Sequence, residues 1–179
     1  RFRLPASMNQ VEYFGRGPAE NYLDRNAGSM IGLYKSTAEE LYFPYVRPQE
    51  NGHHTDTRWV SLSTGKKGLL IQADNTIGFN ALRNSIEDFD DEEATGLPRQ
   101  WSNFTPEQVA NHDEAAAKNV LRRQHHINDI TPRDFVEVCV DLKQQGVAGY
   151  DSWGSRPEPA YTLPANREYN WGFTLIPLK

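Results

Sequence analysis

The chain has 179 residues, with 19 Lys and Arg against 24 Asp and Glu, and its formal net charge is −5. This length suits one domain or part of a larger one. The acidic balance argues against a nucleic-acid partner, since neutralising phosphates needs a basic face. No stretch approaches the roughly 20 apolar residues of a membrane helix, so we expect no membrane partner either. The single cysteine, Cys139, excludes an internal disulfide and a multi-thiolate metal site.

Alternating apolar and polar residues predict a mostly β fold. The predicted strands are, in chain order, residues 2–4, 11–14, 29–34, 57–63, 69–73, 135–142 and 171–177. The turn-forming residues 65–68 (GKKG) predict a hairpin between the fourth and fifth of these. In the sixth, Val136, Val138 and Val140 share one face, and Glu137 and Cys139 share the other.

Both ends of the chain fall in predicted strands, a pattern typical of one part of a larger β-sandwich. We therefore expect residues 1–179 to form a single domain at the C-terminal end of a longer protein. Residues 87–93 are acidic and predict a solvated loop rather than a metal site. After them, residues 105–108 (TPEQ) have the form of a capping box, and residues 113–123 contain good helix formers. These features predict short helices in an insertion.

Residues 15–18 (GRGP) superficially resemble a dinucleotide-binding loop, but Glu20 occupies the third glycine position and Pro18 lacks a backbone donor. We therefore predict a tight turn between strands, with Gly15 and Gly17 supplying positive φ angles. Residues 47–52 predict an extended segment that ends in a turn. Their polar side chains are interpreted as hydrogen bonders that support the fold.

The histidines occur as two adjacent pairs, at residues 53–54 and 125–126, and as His112. One hypothesis combines His54, His126 and a carboxylate into an acid–base site that acts on a sugar ring. The alternative is that these are structural histidines held by hydrogen bonds.

A second candidate site is the predicted loop at residues 149–155, which carries Trp153 between Gly and small polar residues. An indole on such a loop can stack on the apolar face of a sugar, while Asp151 and Ser152 hydrogen-bond its hydroxyls. The alternative is a Trp153 side chain that folds back over the end of the sandwich.

Three stretches carry a family resemblance: residues 13–25 (YFGRGPAENYLDR), 42–52 (YFPYVRPQENG) and 149–154 (GYDSWG). On these motifs the chain resembles the C-terminal domain of the β-galactosidases of glycoside hydrolase family 2. The resemblance runs the length of the chain, and residues 95–119 depart from it as a probable insertion. It implies the later part of an antiparallel, galactose-mutarotase-like β-sandwich.

The resemblance also implies a function. In the family, the tryptophan that matches Trp153 reaches over the mouth of the active site and helps to bind the sugar. The two catalytic glutamates of the retaining mechanism belong to a TIM-barrel domain, so we expect no catalytic residue in this chain. The family's Mg²⁺ and Na⁺ bind in other domains, so no cofactor or metal site is expected here. The implied partners are a galactoside, the barrel and further copies in a homo-oligomer.

Two alternatives stay open at this stage: a stand-alone mutarotase-like enzyme that uses His54 or His126, and a carbohydrate-binding or assembly module without chemistry. The compartment also stays open between cytoplasm and periplasm of a bacterial-type enzyme.

Overall fold

The computed structural model describes residues 1–89, 127–151 and 154–179. The chain divides into two units. The first comprises Arg1–Phe43, Asn51–Asn84 and Pro132–Lys179, and it contains all the strands described below. The second comprises Pro44–Glu50 and Ser85–Thr131. Its described part includes short 3₁₀ helices at Ile86–Asp88 and Ile127–Asp129.

The first unit is built on one antiparallel sheet of seven strands. The strands are β1 (Phe2–Pro5), β2 (Gln10–Gly17), β3 (Met30–Thr37), β4 (His54–Ser63), β5 (Gly68–Leu82), β6 (Phe135–Asp141) and β7 (Phe173–Leu178). Their order across the sheet is β1-β6-β5-β4-β2-β3, and β7 also pairs with β5. The prediction of a mostly antiparallel β fold is confirmed, and the sheet is consistent with a β-sandwich.

The long strand β5 connects the two halves of the sheet. Its first part, Gly68 to Ala73, pairs with β7, and its last part, Gly78 to Leu82, pairs with β6. Its opposite edge pairs with β4 through the predicted hairpin. That hairpin turns at residues 64–67, where Gly65 adopts a φ of +81°.

The core lies on one face of the sheet, which alternate residues of β2 and β4 share. Tyr13, Val60 and Ile71 are aligned across β2, β4 and β5, and none of the three is exposed to solvent. Val11 and Leu62 form the next aligned pair and are also buried. Burying a side chain of this kind stabilises the fold by about 1.5–3 kcal/mol, so this row anchors the sheet.

Strand β6 is buried on both faces. Val136 and Val138 are buried as the alternation predicts, but Glu137 and Cys139 are buried as well. The Glu137 carboxylate is covered by two arginines of the neighbouring N-terminal segment, with Arg3 Nε at 2.9 Å and Arg1 at 3.4 Å. The paired charges explain how an acidic residue is tolerated there, because a buried charge needs a partner.

The predicted turn at residues 15–18 was wrong in its extent. Gly15 and Gly17 lie within β2, and neither has a positive φ angle. Gly15 is needed for close packing instead, because a Cβ at this position would lie 2.5 Å from the Thr57 hydroxyl on β4. Pro18 follows the end of the strand, so the chain turns only after the glycines.

The edges of the sheet expose apolar side chains. On β3, which pairs only with β2 among the described strands, Met30 and Leu33 are 71% and 58% exposed. At β7, Trp171 and Phe173 are exposed, and their ring centroids are 5.6 Å apart. The third 3₁₀ helix, Pro159–Tyr161, precedes this strand.

The predicted insertion at residues 95–119, with its short helices, lies outside the described residues. Within the described ranges, each helix is a single 3₁₀ turn of three residues, and none is long and apolar enough to cross a membrane.

Truncating the core should destabilise the sheet far more than truncating its edge. We expect Leu62→Ala to lower the free energy of unfolding by roughly 2–5 kcal/mol, because it opens a cavity. The matched control, Leu33→Ala on exposed β3, should change it by no more than about 0.5 kcal/mol. Urea denaturation measures both, and equal losses would contradict the assigned core.

Candidate functional site

The first motif docks on the start of β4 through a buried asparagine. Asn21 is fully buried, and its backbone N–H donates to the carbonyl of His53 at 2.7 Å. Its Oδ1 accepts hydrogen bonds from the Thr55 N–H (3.0 Å) and hydroxyl (2.6 Å). Its Nδ2 donates to the carbonyls of Arg16 and Ala19, both at 3.1 Å. Both polar atoms of the side chain are therefore used: Nδ2 closes the local turn, and Oδ1 joins it to a segment that is distant in sequence.

A buried carboxylate makes a second link between the same segments. Glu20 Oε2 accepts the backbone N–H of Gly52 at 2.7 Å, and Oε1 accepts from Arg25 at 2.6 Å. The Arg25 guanidinium also lies over the ring of Tyr22, 5.3 Å from its centroid. Gly52 has a φ of +74°, a conformation that favours glycine. The glycine that ends the second motif is thus held by the glutamate of the first.

A bulge in β4 lies beside this junction. The register with β5 shifts on both sides of Thr57, and Asp56 adopts a φ of +53°. The Asp56 carboxylate pairs with Arg16 Nε at 2.6 Å, and the same guanidinium donates to the carbonyl of Ser29 at 2.8 Å. Bulges reorient side chains near functional sites, and here one holds an acidic residue against the arginine of the first motif.

His54, one of the candidate acid–base residues, is fully buried. Its Nδ1 lies 2.9 Å from the carbonyl oxygen of Gly52, and its Nε2 lies 3.2 Å from that of Pro18. The ring packs against Phe79 and Tyr13, with centroids 5.2 and 4.9 Å away. Burial lowers the pKa of His54, although the two carbonyls and a nearby carboxylate act in the opposite direction. This environment is that of a histidine held by hydrogen bonds to the backbone.

The neighbouring His53 borders a small cavity of about 60 Å³. Its ring stacks on Tyr22, with centroids 5.6 Å apart, and lies directly over Gly78, where a Cβ would come within 2.5 Å of Nε2. Neither ring nitrogen has a hydrogen-bond partner among the described residues. Burial, reinforced by His54, lowers the pKa of His53 to about 3, so the imidazole is neutral at ordinary pH.

The loop that leads to the third motif is attached to the first motif. Both oxygens of the Asp24 carboxylate accept backbone N–H groups, from Val147 at 3.0 Å and from Ala148 at 2.7 Å. Beyond them, the N–H groups of Gly149 and Tyr150 both donate to Ser155 Oγ, at 3.2 and 3.1 Å. The first motif is thus hydrogen-bonded to the glycine that ends the second motif and to the two residues that precede the third.

An open cleft of about 340 Å³ lies next to this loop. Leu23, Leu142 and Lys143 line both this cleft and the cavity beside His53. The rest of the cleft is lined by residues from the segment before β7, among them Arg167 and Tyr169, whose guanidinium and ring lie 5.3 Å apart.

The structure describes only some of the predicted site residues. Asp151 is exposed at the end of the described loop. Trp153, Ser152 and His126 lie outside the described residues, so the sugar contact and the composite histidine site stay predictions. Across residues 1–89, 127–151 and 154–179, no group of three or more His, Cys, Asp or Glu side chains could hold a metal ion.

Sequence reasoning missed Asn21, Asp24 and His53 as components of this junction. Their partners are remote: Asp24 and Val147 are separated by 123 positions. The sequence offered one signal for these residues, which is that they lie inside or beside motifs of the family resemblance. The motifs do not say what each side chain contacts.

The fold and this junction define the chain as a mostly antiparallel β domain in which the first motif is hydrogen-bonded to the start of β4 and to the loop after β6. Residues 1–175 match the family model described as the β-galactosidase small chain. The chain belongs to this family.

Similar proteins agree with that membership. The β-galactosidase of Priestia megaterium is 34% identical over 178 residues, which cover 99% of this chain and 14% of that protein. The β-galactosidase of Staphylococcus xylosus is 26% identical over 96% of this chain and 14% of its own length. The β-galactosidase of Streptococcus thermophilus is 28% identical over 99% of this chain and 14% of its own length. The chain thus spans about a seventh of these relatives.

Because the pKa of His53 is lowered in the folded state, we expect the free energy of unfolding to fall as the pH is lowered. The folded-state pKa is about 3 and the ordinary value is 6.5, so the unfolded chain takes up the proton first as pH falls. Stability is therefore complete above about pH 6.5 and is lost towards pH 3, at up to about 1.4 kcal/mol per pH unit.

Replacing the titrating ring tests this. We expect His53→Phe, which keeps a ring against Tyr22, to reduce the loss of unfolding free energy between about pH 7 and pH 5 by roughly 1–2 kcal/mol. Urea denaturation at the two pH values gives the comparison, with the unchanged chain as control. If both proteins lose the same free energy of unfolding between the two pH values, His53 is not the group responsible for the pH dependence.

Proposed function

We propose that this chain is the C-terminal, non-catalytic part of a β-galactosidase that removes terminal β-D-galactose residues from β-galactosides. The observation that carries the proposal is the family match over residues 1–175, combined with relatives of which the chain spans only 14%. The catalytic machinery then belongs to the much larger remainder of the protein. Retaining glycosidases need two carboxyl groups about 5 Å apart that flank the bond to be cleaved.

The carboxylates at the junction support a non-catalytic role. Glu20 receives Arg25 and the Gly52 amide, Asp56 pairs with Arg16, and Asp24 accepts two loop amides. A nucleophile or a general acid must instead face the substrate. These groups hold backbone and arginine partners, so their chemistry is structural. Mg²⁺ and Na⁺ would bind in the remainder, and the full enzyme would be a homo-oligomer.

In this proposal the chain contributes one wall of the sugar site. Trp153 presents its indole to the apolar face of the galactose, and Asp151 and Ser152 provide hydrogen bonds to hydroxyl groups. The attachment of the neighbouring loop to Asp24 and Ser155 supports this role, because a stacking residue is effective only where its backbone is held.

Trp153→Ala in the full-length enzyme tests the contact. An aromatic–sugar contact is worth on the order of 1–2 kcal/mol, so we expect KM for a galactoside to rise roughly 5- to 30-fold while the glutamate chemistry is retained. Trp171→Ala, which removes an indole that is 45% exposed near β7, is the matched control and should leave KM unchanged. An unchanged profile for Trp153→Ala across several galactosides would exclude the contact.

The chain on its own should be inactive. Purified residues 1–179 should neither hydrolyse a nitrophenyl galactoside nor accelerate the mutarotation of galactose in a polarimeter above the buffer rate. Hydrolysis would overturn the proposal. Catalysed mutarotation would instead favour the stand-alone mutarotase-like enzyme, despite the burial of His54.

A further inference from the structure

The imidazole of His53 is a buried polar group to which the proposed function gives no role. It is 1% exposed, and neither ring nitrogen has a hydrogen-bond partner among the described residues. The ring lies over Gly78, which pairs with Asp141 on β6, and Asp141 Oδ2 is likewise buried without a partner in the described ranges. Leaving buried polar atoms unpaired is costly. This point of the fold therefore favours a ligand that forms hydrogen bonds.

The ring of His53 is fixed at the wall of the small cavity described above. It stacks on Tyr22, with centroids 5.6 Å apart, and Gly78 leaves room for its edge, because a Cβ there would come within 2.5 Å of Nε2. Thr76, which carries a hydroxyl group, lines the same cavity of about 60 Å³. Since a water molecule takes about 30 Å³ in the liquid, this space admits a group as small as a hydroxymethyl.

The open cleft adjoins this cavity. Leu23, Leu142 and Lys143 line both spaces. The cleft measures about 340 Å³, and small-molecule sites typically measure roughly 300–1,000 Å³. The outer space is large enough for the ring of a monosaccharide, whereas the inner space, which His53 lines, accepts only a substituent of that ring.

The segment before β7 forms the outer wall of the cleft and is held at both ends. The carbonyl of Tyr161 accepts an N–H from the loop after β6 at 2.8 Å, and that of Gly172 accepts one from β5 at 3.0 Å. Between them, the Tyr169 hydroxyl donates to the carbonyl of Pro164 at 2.9 Å. These bonds fix the wall before any ligand arrives, so ordering it adds little to the cost of binding.

The chemistry of the lining selects a neutral, hydroxylated ligand. Burial lowers the pKa of His53 to about 3, so its uncharged ring offers one donor and one acceptor, as a hydroxyl group does. An anion would find only the donor, and a cation only the acceptor. Tyr169, Arg167 and Asn170 line the cleft together. An aromatic ring next to hydrogen-bonding groups suits the apolar face and the hydroxyls of a sugar.

We propose that this cleft is a non-catalytic binding site for a neutral hexose, whose hydroxymethyl group enters the inner cavity and hydrogen-bonds to His53. The ring of the sugar lies in the outer cleft, against Tyr169. The site is inferred from the cleft itself, and only the choice of galactose as the hexose rests on the function proposed above.

The test is a calorimetric titration with galactose of the full-length β-galactosidase that contains this chain. A fluorinated galactoside first traps the covalent galactosyl-enzyme that a retaining mechanism forms, so galactose that still binds reports the cleft. We expect one galactose to bind per chain. The analogue 6-deoxygalactose, which lacks the hydroxyl of the hydroxymethyl group, should bind roughly tenfold more weakly.

Substitutions on the two sides of the site give the residue-level test. His53→Phe keeps a ring against Tyr22 but removes both nitrogens. It should weaken galactose binding roughly tenfold and leave 6-deoxygalactose binding unchanged, because that sugar has no hydroxyl for His53 to bond. Tyr169→Ala should weaken both sugars roughly three- to tenfold. Trp171→Ala, which removes an exposed aromatic side chain that does not line the cleft, is the matched control and should change neither.

The failures are distinguishable. If the trapped enzyme binds no galactose, or binds inorganic phosphate through Lys143 and Arg167 instead, the sugar site is overturned. If His53→Phe weakens galactose and 6-deoxygalactose equally, the hydroxymethyl contact is overturned. If His53→Phe does not yield folded enzyme, Tyr169→Ala and the comparison of the two sugars decide. If mass spectrometry shows no trapped adduct, the proposed retaining activity fails, and the same titration of the untreated protein tests the cleft alone.

Discussion

The arrangement of the motifs depends on the hydrogen bonds of one side-chain amide, that of Asn21. It is buried with all of its donors and acceptors used, and it holds the turn after β2 against the start of β4. Removing one partner of such a set leaves buried polar atoms unsatisfied, at a cost of about 1–3 kcal/mol for each. Glu20 and Asp24 flank Asn21 in sequence, and their carboxylates bond to Gly52 and to the loop after β6, so the three side chains attach one stretch of chain to two others.

His53 and His54 are adjacent at the start of β4, but their side chains lie in different environments. Side chains of neighbouring residues in an extended chain point to opposite sides. His54 therefore enters the core between Tyr13 and Phe79, where backbone carbonyls lie at both ring nitrogens. His53 turns towards Tyr22 and the small cavity, without a hydrogen-bond partner in the described part of the chain. The pair thus contains one histidine with a backbone carbonyl near each ring nitrogen and one with no hydrogen-bond partner among the described residues.

Local patterns predicted where each strand lies but not always how long it is: β5, predicted over residues 69–73, is Gly68–Leu82. They did not predict the junction. The alternation at residues 57–63 predicted a strand, and in β4 Val60 and Leu62 lie two positions apart and are both buried, as a period of two requires. The prediction of a turn from Gly15 and Gly17 failed, because Gly15 serves close packing against Thr57, which depends on which strand lies alongside. The link between Asp24 and Ala148 was also out of reach, as no local preference encodes a contact between remote loops. The motifs indicated where function concentrates without showing how their side chains meet.

Among the described strands β3 pairs only with β2, and this edge of the sheet has a practical consequence. Its outer backbone groups and its exposed Met30 and Leu33 offer a template to any extended segment that approaches. Edges of this kind promote intermolecular sheet extension, which grows with protein concentration. Preparations of the isolated polypeptide therefore need dilute conditions, and scattering that rises on concentrating them would reflect strand addition at this margin.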